Sequence, residues 1–113
     1  EGTFRMYYES QPVAPAGSDK LPPATIRSAI SVDGLEFTAE PGERLADPAG
    51  RVSYGSPRCI YLDNGSVRLY SRCADVSGDV NVATGGTMSI VCADSNGTSD
   101  GLDFGDVSVR KQR

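Results

Sequence analysis

Apolar and polar residues alternate along most of this chain, and a period of two predicts strands rather than helices. Over residues 3–9, Phe4, Met6 and Tyr8 alternate with Arg5, Tyr7 and Glu9. Further strands are expected at 24–31, 35–39, 57–62, 66–73, 88–94 and 102–109. No segment sustains apolar residues at i, i+3, i+4 and i+7, so no helix is expected. Four of the seven prolines fall within 11–23, which predicts a long loop, because proline lacks a backbone donor. Residues 40–54, with two prolines and two glycines, read as a connection. Asp33-Gly34 and residues 96–101 are turn signals, and 74–86 reads as a second polar loop. Asn64-Gly65 predicts a tight type I′ hairpin, with Leu62 opposite Val67 and Ile60 opposite Leu69.

The pattern repeats. GTFRMYY at 2–8 recurs as GSVRLY at 65–70, and the segment at 26–37 recurs loosely at 90–104. Gly2 and Gly65 stand 63 apart, and Asp33 and Asp100 stand 67 apart. Such spacing predicts a single domain over 1–113, made of two copies of one unit, about 2–40 and 55–109. Units of this kind stack to bury their apolar faces. The first copy has three candidate strands and the second has four. A four-stranded antiparallel sheet, repeated with a crossing between copies, predicts propeller-like blades, and a two-sheet sandwich is the competing architecture.

A chain of 113 residues with 38 % hydrophobic and 23 % charged residues fits an ordinary folded domain. A net charge of −4 lacks the basic footprint of nucleic-acid binding. No apolar run approaches the roughly 18–20 residues of a membrane span. No basic segment is followed by an apolar one, so no secretory signal is read here, and secreted and cytoplasmic locations both stay open.

Histidine is absent, which removes Ser-His-Asp and Cys-His nucleophilic machinery and imidazole metal ligation. Cys59, Cys73 and Cys92 read as small buried strand residues, with a Cys73–Cys92 bridge as the alternative. Asn64 and Asn96 head formal glycosylation sequons that turn chemistry explains equally well. The Asp- and Asn-rich stretch at 94–106 does not follow the order of an EF-hand loop, so no metal or other cofactor is expected.

Three segments now carry a family likeness: Phe4-Arg5-Met6-Tyr7-Tyr8, Ile26-Arg27-Ser28-Ala29-Ile30-Ser31 and Asp33-Gly34-Leu35-Glu36-Phe37. In the second copy they are Val67-Arg68-Leu69-Tyr70, Ile90-Val91-Cys92-Ala93 and Asp100-Gly101-Leu102-Asp103-Phe104. The chain resembles the blades of five-bladed propeller glycosidases, the group of arabinanases, β-xylosidases and fructosidases. Its Asp-Gly turn is also similar to the Asp-box of sialidases, with a spacing one residue shorter. The likeness implies that Asp33 and Asp100 fix turns, and that Phe37 and Phe104 pack between sheets where the family usually has Trp.

Catalysis in that family uses two carboxylates flanking the scissile bond. They project from innermost strands, typically just before a proline, and here that place falls on Gly55 or Ser56, which cannot transfer a proton. The likeness therefore implies a non-catalytic module binding a small polar ligand such as a sugar. Tyr7, Tyr8, Tyr54, Arg58, Tyr61, Arg68 and Tyr70 are the candidate ligand contacts, since sugars are held by aromatic faces and charged donors. The competing reading of each is packing between sheets, with arginines snorkelling outward. A five-bladed ring needs roughly 250–300 residues, so self-association as a dimer or trimer is expected to complete it. A fragment of a larger glycosidase and a structural or protein-binding role are the alternative functions.

Overall fold

A computed structural model of the chain describes residues 3–14, 16–17, 22–76, 88–96 and 101–112. Among the described residues are seven strands: β1 (Phe4–Ser10), β2 (Thr25–Ser31), β3 (Thr38–Ala39), β4 (Val52–Tyr61), β5 (Val67–Asp75), β6 (Met88–Asp94) and β7 (Ser108–Gln112). The first three form one antiparallel sheet in the order β1-β2-β3. The other four form a second, β4-β5-β6-β7. The fold is thus all-β, with no helix among the described residues, and the two sheets do not close into a ring.

Strand alternation decides which side chains meet. In sheet one, Arg5, Tyr7 and Glu9 share a face with Ile26 and Ser28, while Phe4, Met6 and Tyr8 share the reverse face with Ala29 and Ser31. In sheet two, Val67, Leu69 and Ser71 share one face, and Arg68, Tyr70 and Arg72 share the other. Ile26 joins Leu45, Tyr54, Leu69, Val91 and Ala93 in a single core, against which Tyr7, Val52, Cys73 and Phe104 pack. Backbone bonds stitch the seam: Tyr54 N–H donates to Ala24 O at 3.0 Å, and Ala24 N–H donates to Ser53 Oγ at 2.9 Å. The connecting segment is pinned to β2, with Ile26 N–H donating to Leu45 O at 2.9 Å.

Several expectations are corrected. The hairpin after β4 is not the two-residue type I′ turn, which would need positive φ at Asn64; only Gly65 adopts it, at +87°. Gly65 N–H donates to Leu62 O and Leu62 N–H to Ser66 O, closing a three-residue loop. Asn64 uses its side chain instead, with Oδ1 accepting from Ser66 N–H at 3.0 Å and Ser66 Oγ at 2.6 Å. The longer loop slips the register by one, so Tyr61 faces Val67, Cys59 faces Leu69, and Ile60 turns to the opposite face.

The strand expected at 57–62 begins earlier, at Val52, inside the stretch read as a connection. The last strand is confined to Ser108–Gln112, with Phe104 joined to Ser95 by an isolated bridge outside it. Cys59 is exposed rather than buried, and all three cysteines are free. Cys73 pairs with Ser89 and Cys92 with Tyr70, which places the two thiols on opposite faces and excludes a bridge between them. Most of the loop at 74–86, part of the loop at 11–23, and Asp100 lie outside the described residues.

Leu69 is fully buried, whereas Leu35 is 84 % exposed. Leu69→Ala is expected to destabilise the protein by about 2–5 kcal/mol, and Leu35→Ala to stay within about 0.5 kcal/mol of the parent. Urea denaturation of the two variants checks the placement of the core.

Candidate functional site at the β4 bulge

The strand β4 opens at the place where the family likeness puts an acidic residue. Its register with β5 passes from Gly55↔Arg72 to Arg58↔Tyr70, so Ser56 and Pro57 stand against Ser71 alone. That is a bulge, and Pro57 suits it because proline cannot donate to the ladder. Ser56 sits at φ +50°, a left-handed conformation unusual for a residue with a Cβ. Buried Ser71 repairs the broken ladder, with its Oγ accepting from Gly55 N–H at 3.2 Å and lying 3.0 Å from Gly55 O.

The other sheet supplies a carboxylate here. Glu9 lies near the end of β1 on the face it shares with Tyr7, and its Oε1 accepts from Ser56 N–H at 3.2 Å. Gly55 leaves room for it. A Cβ at Gly55 would lie 2.6 Å from Glu9 Oε1 and 2.8 Å from Arg72 Nη2. A carboxylate and a guanidinium therefore flank a bare backbone, and Glu9, Ser56 and Arg72 are all solvent-exposed. The arrangement offers an acceptor and a donor side by side with no net charge. A neutral hydroxylated group fits such a pair better than an ion does.

The seven residues expected to contact ligand are spread over three faces. Tyr7 is half-buried between the sheets; its hydroxyl donates to Gly101 O at 2.7 Å, and its ring meets Phe104 edge-on at 6.0 Å. Burial pushes the Tyr7 phenol up to about 12. Tyr54 is buried in the core, and burial raises its phenol too. Tyr61 shares that inter-sheet side by register yet is 79 % exposed at the strand end. Arg58, Arg68 and Tyr70 share the reverse face of sheet two, where Arg68 makes a forked ion pair with Asp94 at 2.7 and 3.0 Å. Tyr8 stands on the reverse face of sheet one, with Phe4 and Met6. Glu9, Ser56 and Arg72 were outside the expected set.

Asp33 fixes its turn as expected. Its Oδ1 accepts from Leu35 N–H at 2.8 Å and Glu36 N–H at 3.0 Å, and Gly34 takes φ +78°. Those backbone bonds hold the Asp33 carboxyl below its usual range. No cluster of three or more metal-ligating side chains occurs among the described residues, and no helix there is long and apolar enough to cross a membrane. Compared with known proteins, the chain matches no protein-family model, no curated protein and no solved structure.

On the same face of β1 as Glu9, an ion pair braces the strand. The Arg5 guanidinium donates to both Glu40 oxygens at 2.9 and 2.8 Å, and Ser28 Oγ donates to one of them at 2.7 Å. Foremost the Arg5 bonds, and then Ser28, hold the Glu40 carboxyl below its usual range against the opposing effect of burial. A depressed folded-state pKa gives stability that is complete above the unfolded value, about 4.3 for glutamate, and is lost as pH falls through the folded value. Stability is therefore expected to drop on acidification below that unfolded value. Urea midpoints measured against pH should show a shallower acid loss for Glu40→Gln, with the remainder carried by groups such as Asp33.

Proposed function

We propose that the chain is a non-catalytic, propeller-like module that binds a neutral, polyhydroxylated small molecule, a carbohydrate in the first instance, at the β4 bulge. The observation that carries this reading is the Glu9–Arg72 pair flanking Gly55, where any larger residue would fill the space between the charged tips. A sugar presents adjacent hydroxyls that can donate to Glu9 and accept from Arg72. The exposed Arg58, just beyond the bulge, can extend the contact.

Binding rather than hydrolysis suits the chemistry. A glycosidase sets two carboxylates roughly 5–10 Å apart across the bond, whereas this notch opposes one carboxylate with a cation. The propeller-like part of the proposal draws on the repeated strand order and on the packing of the two sheets face to face. It places the notch on the edge strand β4, where a pocket between blades would open.

Titration of ¹⁵N-labelled protein with simple saccharides at millimolar concentration is expected to shift the amides of Glu9, Gly55 and Ser56. In Gly55→Ala the atoms nearest the new methyl are the ends of two flexible side chains, so stability should change by less than about 1 kcal/mol. Affinity should fall on the order of tenfold or more, equivalent to ~1.4 kcal/mol. Unmoved amides in the parent, or a Gly55→Ala variant that binds as the parent does, would rule out the site.

A further inference from the structure

The β1–β2 and β5–β6 pairs share one pairing register. Arg5↔Ile30 corresponds to Arg68↔Asp94, Tyr7↔Ser28 to Tyr70↔Cys92, and Ser10↔Thr25 to Cys73↔Ser89. The glycines Gly34 and Gly101 correspond as well. Gly34 and Gly101 take φ of +78° and +85°, and a Cβ on either would touch the equivalent side chain, Phe4 or Val67, at 3.4 Å. Each sheet therefore has an A face and a B face. The A face carries Phe4, Met6 and Tyr8 in sheet one and Val67, Leu69 and Ser71 in sheet two. The B face carries Arg5, Tyr7 and Glu9 in sheet one and Arg68, Tyr70 and Arg72 in sheet two.

Within the chain, the B face of sheet one meets the A face of sheet two. The contact is specific: Tyr7 donates to Gly101 O and packs against Phe104. The chain thus leaves over the A face of sheet one and the B face of sheet two, the same two kinds of face that already fit each other. The large apolar residues of β1 and β5 differ in exposure along that division, although the small Ala29 and Ser31 on the A face of sheet one are buried and Tyr61 on the covered side of sheet two is exposed. Val67 and Leu69 are 4 % and 0 % exposed, whereas their counterparts Phe4 and Met6 are 53 % and 41 % exposed. On the B face of sheet two, Ile60 is 50 % exposed beside Arg68.

We propose that a second copy of this chain docks head to tail, its Phe4–Met6–Tyr8 face on the Arg68–Tyr70–Arg72 face of the first. The contact repeats the one already made within the chain. Tyr70 takes the part of Tyr7 and donates to Gly34 O of the second copy. Phe37 of that copy, at the position of Phe104, covers the Tyr70 ring. Such an interface is heterologous, so successive copies close into a ring or extend as a filament. This inference rests on the blade-like reading of the sheets but not on the saccharide, so saccharide binding by a chain that fails to assemble would separate the two.

The test uses light scattering across a dilution series on the parent, on Met6→Glu and Ile60→Glu, and on Tyr70→Phe, with circular dichroism verifying the fold of each. Both Met6 and Ile60 are solvent-exposed in the single chain, so either glutamate should leave the fold intact. The parent is expected to assemble, and each glutamate variant alone to be monomeric. An equimolar mixture of the two should form a dimer, because each retains the face the other has lost. Tyr70→Phe should weaken assembly by roughly 2- to 10-fold, the worth of one hydrogen bond. A parent that stays monomeric, an Ile60→Glu chain that assembles as the parent does, or a mixture that stays monomeric would overturn the proposal. The second outcome would point to a symmetric face-to-face contact instead.

Discussion

The bond from Tyr7 to the Gly101 carbonyl holds the two sheets at the spacing on which the other contacts depend. Gly101 is required there on two grounds. Its φ of +85° disfavours any side chain, and a Cβ would lie 2.7 Å from the Tyr7 hydroxyl and 3.1 Å from an Arg5 nitrogen. With Tyr7 seated, Phe104 closes over its ring, and Ile26 reaches Leu69 and Val91 in one core. The same placement of β1 brings Glu9, two residues further along the strand, to the backbone of Ser56. Core and notch are therefore consequences of one register. A shift of β1 by a single residue would turn Tyr7 and Glu9 away together.

Much of this was legible in the chain because it depends on local chemistry. Alternation placed β1, β2 and β6 within a residue or so of their ends, and Asp33-Gly34 was readable because an aspartate cap and a left-handed glycine are local devices. The Asn64-Gly65 hairpin shows where that logic stops. The dipeptide suits a type I′ turn, but the side chain of Asn64 found a better partner in Ser66, and a three-residue loop reversed every side chain of β4 beyond the bulge. Ile60 moved to the outer face as a result, and Cys59 came opposite Leu69, where it is nonetheless exposed. The length of β4 was hidden for a related reason, since its first residues are ordered by the seam with Ala24 and not by any pattern of their own.

The notch illustrates a second limit. A search along one strand for an acidic residue ends at Gly55 and Ser56, and from sequence that place looks empty. Glu9 comes from the other sheet, 47 residues away, and its use depends on Gly55 having no side chain. The seven aromatic and basic candidates were chosen by residue type, and strand alternation then divided them among three faces. Tyr7 and Tyr54 were drawn into packing because each lies on the one face of its sheet that the chain can cover for itself.

That division follows from arithmetic on faces. Two sheets present four faces, and one packing contact covers two of them. A sandwich built from unrelated sheets would leave two outer faces of unrelated character. Here the remaining faces are the register equivalents of the two already matched. The A face of sheet one keeps Phe4 and Met6 where its twin has the deeply buried Val67 and Leu69. The B face of sheet two keeps a tyrosine where its twin has the one that locks the sheets. A surface selected only for solvent has no reason to preserve the spacing of a buried contact, so the pattern of those faces is better explained by a partner of the same construction.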